Sequence, residues 1–132
     1  MPHHQTELEA FIRLQEVVAT LRSEQGCPWD RKQTPGTLKK YLLEECRELA
    51  EAIDSGHEEA ICEELGDVYF ILSLLGAILA EQGTFSCADA LRQITGKMIR
   101  RHPHVFAGAP MGSEQELREQ WERIKLDEKN SR

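Results

Sequence analysis

The 132-residue chain has little that would suit it to a membrane or to a nucleic acid. No apolar run reaches the ~20 residues that cross a bilayer. The longest, around Val68–Ala80, is interrupted by Ser73 and by glycine. The opening Met-Pro-His-His-Gln carries no apolar signal segment, so the expected compartment is the cytoplasm. Basic residues are in the minority, 16 against 23 acidic ones, giving a net charge of -7 that excludes a nucleic-acid binder held by a basic surface. The four cysteines (27, 46, 62 and 87) lack the C-x-x-C spacing of a zinc or redox site and are expected as reduced thiols. Gly (9) and Pro (5) are too few for a low-complexity chain, and the 40% of hydrophobic residues suffices for one core. A single domain over residues 1–132 is expected, with flexible ends at 1–5 and 128–132.

Alternating apolar and polar residues, the signature of a strand, are also missing, so the fold is expected to be all-α. A first helix over roughly Thr6–Glu24 places Leu8, Phe11, Ile12, Val18 and Leu21 on one face and stops at Gly26. An irregular loop through Cys27-Pro28-Trp29-Asp30 follows. Thr34-Pro35 reads as an N-cap with proline in the first turn, opening a second helix that runs to Gly56. The third, from about Glu58 to Gln82, has a polar first half and an almost wholly apolar second half. It should be buried nearly all round, and its spare apolar face predicts a subunit interface. Ser86-Cys87-Ala88-Asp89 resembles a capping box for a fourth helix that turns Leu91, Ile94 and Met98 inward and is stopped by Pro103. Ser113-Glu114-Gln115-Glu116 is a second capping box, ahead of Leu117, Trp121 and Ile124.

The acidity has an address. Ten of the 23 acidic residues lie between Glu44 and Asp67, facing one basic residue, Arg47, whereas the rest of the chain carries a slight basic excess. Glu44, Glu45 and Glu48 stand at i, i+3 and i+4 spacings on the second helix, and Glu64 and Asp67 at i, i+3 on the third. These spacings bring carboxylates to one helical face, where like charges repel by a few tenths of a kcal/mol per pair (about 0.2–0.5). Hard divalent cations offset such repulsion, since Mg²⁺ and Mn²⁺ take carboxylate oxygens. The short turn at Asp54–His57 makes the two helices antiparallel neighbours, so their carboxylates can converge. Gly66, inside a helix where it costs about 1 kcal/mol relative to Ala, predicts close packing at that point. A solvated acidic face that docks a basic partner is the non-enzymatic alternative. A di-iron carboxylate protein would need Glu-x-x-His pairs, and the chain has none.

Leu43-Glu44-Glu45-Cys46-Arg47-Glu48 followed by Glu63-Glu64-Leu65-Gly66-Asp67 resembles the E-E-x-x-E … E-x-x-D signature of the MazG-like, all-α nucleoside triphosphate pyrophosphohydrolases. Gly26-Cys27-Pro28-Trp29-Asp30 and Arg100-Arg101-His102-Pro103-His104-Val105-Phe106 are similar to segments that flank it in that family. The resemblance spans roughly residues 8–126. It implies a four-helix bundle core with an additional C-terminal helix, assembled as a dimer or a dimer of dimers, that hydrolyses nucleoside triphosphates to a monophosphate and pyrophosphate with Mg²⁺, for which Mn²⁺ can substitute. By position it implies Glu45, Glu48, Glu64 and Asp67 as metal ligands, and Glu44 or Glu45 as the base that orients the attacking water. It further implies Lys97, Arg100 and Arg101 as phosphate contacts, and Trp121 with Lys125 as contacts to the base. Cations near a helix C-terminus also suit the macrodipole, and Trp121 or Trp29 could equally anchor a helix to the core. Attack at the α- or the β-phosphorus gives the same products. Clearing aberrant nucleotides from the pool is the role that the resemblance implies.

Overall fold

The computed structural model describes residues 2–131, with side chains from Thr6 onward, and shows seven helices and no strand among them. They are α1 (Pro2–Leu21), α2 (Pro28–Lys32), α3 (Pro35–Ser55), α4 (Glu58–Glu81), α5 (Cys87–Arg100), α6 (Pro103–Phe106) and α7 (Glu114–Asn130). Within the span read as one domain, the chain forms two compact units, Met1–Cys87 and Ala88–Arg132. The ends expected to be flexible lie partly outside the described residues. Inside them, α1 begins at Pro2 and α7 continues to Asn130, through residues expected as a solvated tail.

In the first unit, α4 packs against α3 and α1. Ile71, Leu74 and Ile78 form one stripe of α4, and Leu74 and Ile78 meet Val18 of α1 and Leu38 of α3 in the core. Ser73 breaks the apolar run without cost because its buried hydroxyl accepts a 2.8 Å hydrogen bond from Gln15 Nε2. The opposite stripe of α4 is not buried. Leu65, Tyr69 and Leu72 are 43–52% exposed and form the spare apolar face for which the sequence predicts a subunit interface. Gly66 is also open, since an added Cβ would meet nothing within 4 Å, so the close packing expected there is not made inside the chain.

The α3–α4 hairpin follows from its caps. Thr34 Oγ1 accepts from the Thr37 amide at 3.2 Å and Thr37 Oγ1 from the Thr34 amide at 2.8 Å, with Pro35 in the first turn. Gly56 ends α3 at φ 73°, a left-handed conformation that a side chain would strain, and its amide returns to Ala52 and Ile53. The segment expected as an irregular loop instead holds α2, one turn opened by Pro28. Gly26 lets the chain fold back on the end of α1, where a Cβ would collide with the Leu21 carbonyl. Trp29 packs against the core, edge-on to Tyr41 with ring centroids 5.3 Å apart.

Arg22, just past α1, holds this corner. Its Nη1 donates to the carbonyls of Asp30 (2.6 Å), Arg31 (3.1 Å) and Gln33 (3.1 Å), while Nε and Nη2 reach Glu81 Oε2 at 2.9 and 2.8 Å. One largely buried guanidinium thereby satisfies the end of α2 and ties it to α4. Arg22→Ala strands these carbonyls and is expected to lower stability by about 2–4 kcal/mol, read from urea unfolding. A loss below ~0.5 kcal/mol would show that the clamp carries no stability.

The second unit is built on α5 and α7. Ser113 caps α7 as its sequence predicts, accepting from the Glu116 amide at 3.2 Å while Glu116 Oε1 accepts from the Ser113 amide at 3.1 Å. These bonds favour the charged carboxylate and hold Glu116 below the usual range. Of the three residues expected to turn inward from α5, Met98 is half-buried and the other two are not buried among the described residues. Leu91 and Ile94 are 48% and 44% exposed, and no residue of α5 is buried. A unit of this size encloses too little volume for a core of its own. α5 ends ahead of Pro103, which begins α6.

Candidate metal centre

The hairpin turn fixes the register of the carboxylates. Glu48 and Glu64 lie eight residues before and after Gly56, and Glu45 and Asp67 lie eleven. At 1.5 Å per residue these pairs stand at matching heights, about 12 and 16 Å along the two helices. The i, i+3 spacing on each helix turns both members of a pair toward the neighbour. One oxygen from each of Glu45, Glu48, Glu64 and Asp67 accordingly lies within 4.8 Å of the others. Glu44 is exposed and stands outside this group.

Among the described residues the cluster has no protein counter-charge. Arg47, the basic residue of this segment, points to Glu51 at 3.7 Å, and no ion pair joins the four carboxylates to a cation among the described residues. Glu45 Oε2 and Glu64 Oε2 are buried without a hydrogen-bond partner. Burial, with the charges of Glu48 and Asp67, pushes the Glu45 carboxyl up to about 7 and raises that of Glu64. Orphaned, buried, oxygen-only donors at this separation fit a hard divalent ion. They do not fit a di-iron centre with histidine ligands, because the group holds no histidine.

A groove of about 550 Å³ opens beside the first turns of α3, lined among others by Trp29, Gln33, Lys40 and Tyr41. Tyr41 stands one turn before Glu45, and Lys40 Nζ lies 5.0 Å from its ring centroid. None of the site residues expected from the sequence lines this groove. The i, i+4 step from Tyr41 to Glu45 was the available signal, hidden by the core periodicity that Tyr41 shares.

In the second unit the expected phosphate and base contacts separate into two grooves. Lys97 and Arg100 line one of about 810 Å³, and Arg101 and Lys125 line another of about 360 Å³. Glu128 lines both grooves. Its Oε2 accepts from Arg100 Nε at 2.7 Å, and its Oε1 from Arg101 Nε and Nη2 at 3.2 and 2.8 Å. These bonds hold the Glu128 carboxyl down at about 2. Arg101 also lies over the Trp121 ring, 5.3 Å from its centroid. On the same ring His102 packs edge-on at 5.1 Å, its Nδ1 2.6 Å from the Met98 carbonyl. Trp121 is thus half-buried by its own unit, and Lys125 is exposed.

Residues 33–106 match the family model of the MazG nucleotide pyrophosphohydrolase domain. The chain is 46% identical, over 92% of its length, to the nucleoside triphosphate pyrophosphohydrolase/pyrophosphatase MazG of Thermotoga maritima. It is 38% identical, over 89%, to the nucleoside triphosphate pyrophosphohydrolase of Escherichia coli, and 43% identical, over 92%, to the uncharacterized YabN of Bacillus subtilis. It spans 46%, 45% and 25% of the lengths of these relatives. The crystal structure of a MazG-related protein from Thermotoga maritima superposes with a TM-score of 0.72 at 29% identity, covering 86% of this chain and 97% of that one.

Proposed function

The chain belongs to the MazG nucleotide pyrophosphohydrolase family, and on that premise we propose that it hydrolyses nucleoside triphosphates to a nucleoside monophosphate and pyrophosphate with a divalent metal ion. The observation that carries this reading is the cluster of four carboxylates, two with orphaned buried oxygens and none with a basic partner. Glu45, Glu48, Glu64 and Asp67 would hold Mg²⁺, or Mn²⁺ in its place. When bound, the ion would supply positive charge that offsets the charge developing on the phosphates as the phosphoanhydride breaks.

The chain's own residues divide the remaining work. Glu44, exposed and outside the group of four, would orient a water and take its proton as the water oxygen bonds to the α-phosphorus. Glu45, committed as a ligand, is the poorer base. The bond from the α-phosphorus to the bridging oxygen breaks and pyrophosphate leaves. Lys97, Arg100 and Arg101 contact the phosphates, Arg bidentately, and Trp121 with Lys125 contacts the base. The exposed stripe of Leu65, Tyr69 and Leu72 supports assembly as a dimer or a dimer of dimers. Such an activity suits clearance of nucleotides from the cytoplasmic pool. No helix among the described residues is long and apolar enough to cross a membrane.

Product identification across a panel of NTPs and dNTPs tests the reading. Monophosphate and pyrophosphate are expected in equal amounts, with Mg²⁺ or Mn²⁺ required. A diphosphate with orthophosphate, or no turnover with either ion, overturns it.

A further inference from the structure

Arg100, the last residue of α5, and Arg101, just after it, are held by one carboxylate. Glu128, a residue of α7, accepts from both: from Arg100 through the inner nitrogen Nε, and from Arg101 along one edge, through Nε and the terminal Nη2. Neither terminal nitrogen of Arg100 is engaged by Glu128, and the Arg100 side chain is 55% exposed. Arg101 is fixed twice, at one edge by the carboxylate and on its face by Trp121. Two contacts in different directions define the plane of a guanidinium, whereas an exposed ion pair leaves it free to rotate. For Arg100 the arrangement suits a bidentate phosphate contact, since Glu128 anchors Nε and engages neither terminal nitrogen of a side chain that is 55% exposed, while Arg101, 14% exposed, is held in a fixed plane beside it. The pairing is also well matched in charge. One carboxylate against two guanidiniums leaves a net positive charge on the groove walls, so the anchor does not cancel the attraction for an anion.

Resting on the proposed pyrophosphohydrolase reading, we infer that Glu128 is a positioning residue for the phosphate chain: it presets Arg100 and Arg101 and thereby sets the affinity for a polyphosphate. Free arginines would have to be ordered during binding, and each long side chain so immobilised subtracts from affinity. Glu128 orders them beforehand.

Binding of inorganic tripolyphosphate, measured by calorimetry at low ionic strength on the whole chain, tests this without requiring turnover. Glu128→Ala is expected to weaken binding about tenfold, and Glu128→Gln, which keeps an acceptor oxygen, by about threefold, with helicity and melting monitored alongside. In an Arg100→Gln, Arg101→Gln background the Glu128→Ala change should have no further effect. A structural role exerted elsewhere would give additive losses instead of this non-additivity. Unchanged or tighter binding by folded Glu128→Ala, or no binding by the wild type, overturns the inference. If Glu128→Ala does not fold, the Glu128→Gln arm decides by the same criterion. The product assay stands apart from this result. A wild-type chain that hydrolyses NTPs while its Glu128 variants bind tripolyphosphate normally would retain the proposed function and lose the positioning role. In that assay Glu128→Gln should raise KM and leave kcat nearly unchanged, because the arginines are held equally in ground and transition states.

Discussion

Glu48→Gln combined with Asp67→Asn is expected to abolish binding of Mg²⁺ and Mn²⁺ and to lower nucleotide hydrolysis by about 10³-fold or more, while raising the melting temperature of the metal-free protein at pH 8. The activity arm follows from the several kcal/mol that a divalent ion contributes to a phosphoryl transition state, at about 1.36 kcal/mol per factor of ten. The stability arm has the opposite sign from that of most substitutions at half-buried sites. It comes from the geometry: four carboxylates within 4.8 Å, with two buried oxygens unpartnered and no cation among them, repel one another in the metal-free state. Replacing one charge on each helix with an amide of the same shape relieves that repulsion and adds donors for the orphaned oxygens. The site thus trades stability of the empty fold for function. Calorimetric metal titration, the product assay and a melting curve read the three effects separately. A double variant that still binds metal with unchanged affinity would remove these residues from the ligand set.

The parts of this arrangement that were legible in the sequence are those written within a few residues of one another. Thr34-Pro35, Gly56, and Ser113 with Glu116 are local signals, and each marks a helix end as predicted. Glu45 with Glu48 and Glu64 with Asp67 are likewise local, and their equal distances from Gly56 made the meeting of the two pairs a matter of counting along an antiparallel hairpin. What the periodicity of α4 and α5 could not convey is whose surface covers an apolar stripe. Tyr69 and Leu72, or Leu91 and Ile94, repeat at the spacing of buried residues, yet the chain leaves them exposed. Helical spacing records that a face is apolar, and nothing about whether the same chain or a second copy buries it. The Arg22 clamp and the Glu128 anchor were hidden for a different reason. Arg22 meets Glu81 at a separation of 59 residues and Arg100 meets Glu128 at 28, distances over which no turn or spacing rule operates. Arg100 and Arg101 suggest phosphate contacts or cations that suit the macrodipole, because their partner lies in what the sequence marks as a solvated tail.

Metal-dependent stabilisation should grow with pH. The Glu45 carboxyl is raised to about 7 by burial and by its charged neighbours, and that of Glu64 is raised by the same causes. Below the ordinary value of about 4.5, folded and unfolded chains both carry the proton, and Glu45 contributes nothing to the balance. Between about 4.5 and about 7 the unfolded chain releases a proton that the fold retains. The fold is therefore destabilised progressively as pH rises through this window, and above about 7 the penalty is complete. Metal binding acts on the same protons in the other direction, because the ligands must be deprotonated and the ion displaces whatever they hold. Displacing one proton from a group of this pKa makes apparent metal affinity about tenfold weaker at pH 6 than at pH 8, and displacing a second from Glu64 adds to it. The rise in melting temperature produced by a fixed millimolar concentration of Mg²⁺ should then be clearly larger at pH 8 than at pH 6, with the metal-free melting temperature moving the opposite way. The Glu48→Gln, Asp67→Asn variant should show neither trend. A metal-induced shift of equal size at both pH values would mean that Glu45 and Glu64 are already ionised in the metal-free fold, which would require a counter-charge near them that the described residues do not provide.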